Sequence, residues 1–219
     1  MKLSTLVGLQ VADYFATFDT VSQSGADRDL GSGGALVLPD MVDATSNTRH
    51  LAVGAGKDGN IYIVDRDSMS KFNTAGNAQV YQELAGALPG GEFAMPAYFN
   101  NTLYYGGVNA PLRAYAFSQA RLATSSSSRS ATTYSFPGAT PSISANGLND
   151  AIVWTVENAG GGVLHAYAAS NLANELYNSN QAPNGRDSFQ DNKFITPTIA
   201  NGKVYVGTPN SVAAFGLLP

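Results

Sequence analysis

The chain has 219 residues, enough for one sizeable core, and only 13% of them are Asp, Glu, Lys or Arg, about half the usual share in a soluble protein. Twelve Lys plus Arg stand against 16 Asp plus Glu, a net charge of −4, and no basic cluster is present to neutralise a phosphate backbone, so nucleic acid is not an expected partner. The absence of Cys removes disulfides, thiolate metal sites and Cys nucleophiles together, and the 23 Gly and 10 Pro argue against a coiled coil.

The first residues, Met1-Lys2-Leu3-Ser4-Thr5-Leu6-Val7-Gly8-Leu9, carry one positive charge and a short apolar stretch but no small-residue cleavage site before Asp13. They read as folded chain rather than as a signal peptide, and no segment reaches the roughly 18 apolar residues of a membrane span. Residues 9–18, from Leu9 to Phe18, read as a strand outside any complete repeat.

From Gly34 onward a repeat of short strands recurs four times, the signature of a propeller. First strands run to or past Pro39, Pro96, Pro141 and Pro197, and second strands begin at Leu51, Leu103, Ile152 and Val204. Third strands follow as Ile61-Tyr62-Ile63-Val64, Leu112-Arg113-Ala114-Tyr115, Leu164-His165-Ala166-Tyr167 and Val212-Ala213-Ala214-Phe215. The turns between second and third strands hold Asp58-Gly59-Asn60, Asn109-Ala110-Pro111, the stretch 158–162 and Pro209-Asn210, residues that supply positive or preset φ. Fourth strands are expected near Gln79–Leu84, Thr133–Phe136 and Asn174–Tyr177, with the Ser125–Ser128 run as a solvated loop. No stretch holds helical apolar spacing beyond about two turns.

The predicted architecture is therefore all-β: one propeller domain over 1–219, of four-stranded antiparallel blades at about 34–84, 94–136, 140–177 and 194–218. The last repeat lacks a fourth strand, and strand 9–18 is expected to supply it and close a four-bladed ring, giving a monomer. The competing arrangement is half of a larger ring, completed by a partner as a dimer.

The segments Gly56-Lys57-Asp58-Gly59-Asn60-Ile61-Tyr62-Ile63-Val64-Asp65 and Ile199-Ala200-Asn201-Gly202-Lys203-Val204-Tyr205-Val206-Gly207 resemble repeats of the pyrroloquinoline-quinone-like β-propellers. Within that family the chain resembles the C-terminal part of a longer bacterial protein, and the resemblance implies a periplasmic or secreted parent. The enzymes that give the family its name oxidise alcohols with the quinone, a calcium ion, a vicinal Cys pair and Trp docking motifs. With no Cys and a single Trp, Trp154, that cofactor pattern maps onto no position here, so the quinone is not an expected cofactor.

Nucleophilic catalysis needs a histidine held by a carboxylate beside Ser or Cys. The two histidines, His50 and His165, read instead as a surface turn residue and a blade-face residue. Carboxylate and metal chemistry remains. Loops entering the blades hold Asp27, Arg28 and Asp29, then Glu92, then Arg186, Asp187 and Asp191, and the Lys57-Asp58 turn is expected on the same side. Asp27, Asp29, Glu92 and Asp187 are the candidate ligands of a Ca²⁺, which takes about six to eight oxygens from separate loops. Against this, Asp in such loops commonly caps turns or pairs with an adjacent Arg, as Arg28 and Arg186 invite. The expected function is a scaffold that binds a small molecule at one face, with a Ca²⁺-assisted ester or lactone hydrolase as the catalytic alternative and a quinoprotein dehydrogenase as the remote one.

Overall fold

The computed structural model describes residues 1–158 and 160–216, so the end of the expected fourth blade at 217–218 and Ala159 in the third hairpin turn lie outside the described residues. Chain order begins with β1 (Lys2–Ser4), β2 (Gln10–Asp13) and a short helix α1 (Thr20–Gly25). The first large sheet takes β3 (Ala35–Val37), β6 (Leu51–Ala55), β7 (Ile61–Asp65) and β8 (Gln82–Leu84) in that order, with the side hairpin β4 (Met41–Val42) and β5 (Thr48–Arg49) on its long connection. The second contains β9 (Ala97–Phe99), β10 (Thr102–Tyr105) and β11 (Ala110–Ser118), whose far edge pairs with both β12 (Arg121–Leu122) and β13 (Ser128–Tyr134). The third runs β14 (Ser142–Asn146), β15 (Asn149–Asn158), β16 (Gly162–Ala168) and β17 (Glu175–Asn178). The fourth has three strands, β18 (Thr198–Ala200), β19 (Lys203–Gly207) and β20 (Val212–Phe215). All pairings within these sheets are antiparallel, and the fold is all-β as the sequence predicts.

Side-chain alternation decides how the sheets stack. On β7, Ile61 and Ile63 face the second sheet and are fully buried against Tyr105, Tyr115 and Phe117. Leu112 and Ala114 of the second sheet pack with Val153 and Tyr167 of the third, and Leu164 of the third with Val204, Val206 and Phe215 of the fourth. Each seam therefore joins the forward face of one sheet, turned toward the next in the chain, to the backward face of its successor. Opposite Ile63, Ala114, Ala166 and Ala214 stand Val53, Tyr104, Trp154 and Tyr205. The sequence alignment on Leu51 and Ile152 therefore starts the second strands of the first and third sheets one residue too early. Period-two patterning is satisfied by either register until cross-strand partners fix it.

Glycine lets the turns of adjacent sheets touch. Ala139 N–H donates to Gly106 O at 2.8 Å, and a Cβ on Gly106 would lie 2.2 Å from Ala139 O. An equivalent bond runs from Glu92 N–H to Gly56 O at 2.9 Å, and between the third and fourth sheets the direction reverses, with Gly162 N–H at the start of β16 donating to Phe189 O at 3.0 Å.

The expected closing strand is corrected. Gln10–Asp13 pairs with Lys2–Ser4, Phe15 bridges to Lys71, and neither joins β20. The cause is local cover on the first sheet: Phe15 packs with Val64, Met69 and Val80, its ring 5.4 Å from that of Tyr62, and Asp13 Oδ2 accepts the Met69 N–H at 2.8 Å. Burial of this aromatic outweighs the few hydrogen bonds of an added edge strand. Among the described residues, the apolar clusters form three seams between successive sheets and none between the fourth and the first.

Candidate functional site

The loops that carry the predicted acids of the first two sheets are tied together along the rim at one end of those sheets. The loop carrying Asp27 and Asp29 is tied to the β6–β7 turn by the Lys57 N–H on Asp29 O at 3.1 Å, and to the loop entering the second sheet by Ser32 Oγ on Glu92 O at 2.7 Å. This contact needs Gly56, since a Cβ there would stand 2.5 Å from Asp29 O. Lys57 Nζ lies 2.5 Å from Asp27 Oδ1 and 3.1 Å from Asp29 Oδ2, and both carboxylates raise the Lys57 pKa, with the Asp27 hydrogen bond leading. The ammonium stands between the two carboxylates where a bound cation would.

Glu92 departs furthest from expectation. It is 0% exposed, its Oε1 accepts the N–H groups of Phe93 at 3.1 Å and Ala94 at 2.9 Å, and its Oε2 has no partner in the protein. Burial is the leading cause that pushes its pKa up to about 7, and the two backbone donors oppose it. The Tyr105 hydroxyl is likewise buried without a partner, and burial and then the Glu92 charge push its pKa well up.

Asp187 is elsewhere, between the third and fourth sheets. Arg186 Nε donates to Asp187 Oδ1 at 2.7 Å, Arg186 Nη2 to Oδ2 at 3.0 Å, and the Tyr177 hydroxyl to Oδ2 at 2.5 Å, which together hold the carboxyl down at about 2. Asp191 Oδ2 accepts the Gly160 N–H at 3.3 Å. Asp58 caps its own hairpin, accepting from Asn60 N–H at 3.1 Å and from the Tyr62 hydroxyl at 2.6 Å. Among the described residues no three His, Asp or Glu converge to hold a metal. Asp27 and Asp29 close on Lys57, Glu92 is sealed inside and Asp187 is clamped by Arg186, so the four do not fit the oxygen cage of a Ca²⁺ site.

Beside this rim lies a cavity of about 200 Å³, walled by Thr17, Thr20, Gln23, Arg28, Asp29 and Asp58 together with Leu30 and Gly31. Gln23 Nε2 is held by Asp19 Oδ2 at 2.9 Å, whereas Gln23 Oε1 is buried with no protein partner. Arg28 makes no ion pair among the described residues. Its backbone N–H donates to Gln23 O at 2.8 Å, which ties the loop to α1. Arg28, Asp29 and Asp58 were legible as candidates; Thr17, Thr20 and Gln23 were not, because only the folding of the N-terminal segment onto the first sheet brings them here.

A second cluster escaped the sequence reading. His165 is on a sheet face as expected, but its Nδ1 lies 2.5 Å from Glu175 Oε1 and its Nε2 3.1 Å from Glu157 Oε2. Its ring stacks on Tyr167 at 5.8 Å and meets the edge of Tyr134 at 5.9 Å. Same-face alternation along β15 and β16 is the signal that places Glu157 near His165. His50 is on the surface as read, with Nδ1 2.7 Å from Asp67 Oδ2, a bond that raises its pKa.

No protein-family model matches the chain, and no curated protein is significantly similar to it. Among solved structures it is similar to the computationally designed Ika8 protein, with 14% identity and a TM-score of 0.50 over 76% of this chain and 43% of that one. It is similar also to the computationally designed Ika4 protein, with 14% identity and a TM-score of 0.49 over 76% of this chain and 85% of that one. The chain thus spans less than half the length of Ika8, and at this identity the likeness concerns chain fold alone. No helix among the described residues is long and apolar enough to cross a membrane.

Proposed function

We propose that the chain is a binding module whose four sheets are blades of a pyrroloquinoline-quinone-like propeller, and that its ligand is a small, uncharged polyhydroxylated molecule held in the cavity beside the first blade. The blade reading is supported by the forward-to-backward stacking repeated at three seams. The ligand reading is carried by the lining of the cavity, where the hydroxyls of Thr17, Thr20 and Ser24, the Gln23 amide, the Arg28 guanidinium and the Asp29 and Asp58 carboxylates stand beside Leu30 and Gly31. Such a wall offers donors and acceptors in every direction but no net charge large enough to select an ion, and about 200 Å³ is below the usual range for drug-sized ligands. At the rim Asp27 and Asp29 are paired with Lys57, Glu92 is sealed inside, and Asp58 is engaged by the Asn60 N–H and the Tyr62 hydroxyl.

The test is a thermal-shift and NMR titration with a panel of monosaccharides and linear polyols, run on the wild type and on Gln23→Ala and Arg28→Ala. At least one compound should raise the melting temperature and perturb signals of Thr20, Gln23 and Arg28, with both effects lost in the variants. Absence of any shift across the panel, or shifts untouched by the variants, overturns the reading.

A further inference from the structure

The three seams use matched surfaces, and two such surfaces are left over. The backward face of the first sheet presents Ala35, Val37 and Gly54 beside a groove of about 490 Å³, walled also by Met1, Lys2, Leu30 and Gly31, while Phe15 packs with Ala52 over its outer part. The forward face of the fourth sheet presents Thr198, Ala200, Tyr205, Val212 and Ala214, with Lys203 at its edge. At the internal seams the forward-face positions that match Tyr205 and Ala214 are covered, with Val53 and Tyr104 1% exposed, Ala114 and Ala166 1% and 0% exposed and Trp154 half-buried, and on the backward faces Leu103, Tyr105, Val153 and Val206 are buried. On the free faces the pattern continues uncovered, with Val37 63% and Val212 66% exposed. Inner strands touch at the internal seams, β9 with β14 and β14 with β18, and the inner strand of the first sheet, β3, is the part that Phe15 leaves open.

We infer that these two faces dock onto each other between two copies of this chain. The forward face of the fourth sheet in one copy covers the backward face of the first sheet in the other, and a twofold axis repeats the contact. The occupant is a second copy because it supplies the one type of surface that the backward face of every later sheet already meets, the forward face of its predecessor. A contact between unlike faces normally propagates; here the twofold closes it into two identical seams and an eight-sheet ring with no free face. The inference rests on reading the sheets as propeller blades.

Sedimentation of the full chain should give a species of twice 22.8 kDa, reduced to a monomer by Val37→Asp or Val212→Asp with an unchanged circular dichroism spectrum. Both valines are exposed within one copy, so neither substitution disturbs its core. The chain has no Cys, which allows a directional test. A short bis-maleimide should cross-link a mixture of the Val37→Cys and Val212→Cys variants, and neither variant alone. A wild-type monomer at tens of micromolar, or cross-linking of either variant with itself, overturns the inference. Polyol thermal shifts read on the same samples separate the two proposals: a monomer that still binds overturns only the dimer, and a dimer that does not bind overturns only the ligand site.

Discussion

The Tyr134 hydroxyl lies 2.6 Å from Thr155 Oγ1, joining the second sheet to the third across the seam where the Tyr104 hydroxyl also donates to Ala169 O at 2.8 Å. The Tyr134 hydroxyl is 3.0 Å from the Tyr167 hydroxyl, and Tyr134 is 1% exposed. Tyr134→Phe leaves Thr155, itself 0% exposed, without this partner. It should lower unfolding free energy by about 1–3 kcal/mol, measured by urea denaturation, with the slope of the transition unchanged.

Glu92 gives the molecule a specific pH dependence. Its folded pKa of about 7 is above the ordinary 4.5, so the native state holds a proton that the unfolded chain has released. Stability from this group is complete below about pH 4.5 and declines as pH rises through about 7, by about 3 kcal/mol in total. Glu92→Gln keeps an oxygen for the Phe93 and Ala94 N–H groups and removes the titration. Denaturation curves from pH 4 to 8 should fall for the wild type relative to the variant, and parallel curves would refute the assignment.

Lys57 occupies the gap between Asp27 and Asp29. Replacing it by Met leaves two carboxylates facing each other with no counter-charge, which favours a divalent cation in its place. Calorimetric titration with Ca²⁺ should show measurable binding for Lys57→Met and none for the wild type, and the added Asp29→Asn change should abolish it.

Gly106 tests the close approach of neighbouring turns. With Ala139 O only 2.2 Å from the point a methyl group would occupy, Gly106→Ala must push the turns apart or break the Ala139 N–H bond. A cost of about 1–3 kcal/mol is expected from denaturation. Gly160→Ala serves as a comparison for the added strain of a positive φ without crowding, since Gly160 has φ +82 and nothing within 4 Å of its Cβ position.

Strand alternation, the recurring prolines and the Asp-Gly and Asn-rich turns are local properties, and the sequence alone determined from them an all-β chain with four groups of short antiparallel strands. It also located the rim loops that hold Asp27, Arg28, Asp29 and Glu92, because loop position follows from strand order. What charges do within those loops was decided only in three dimensions. Lys57 reaches Asp27 across 30 residues and neutralises it, while Glu92, next to Gly91 in an apparently open loop, turns inward and is fully buried. The N-terminal strand shows the same division. Its apolar pattern announces a strand but not its partner, and Phe15 went to the first sheet because the apolar cover at Val64 and Met69 was there. Pairing across sheets depends on which surfaces stacking leaves open, and that is a property of the assembled seams rather than of any segment read by itself.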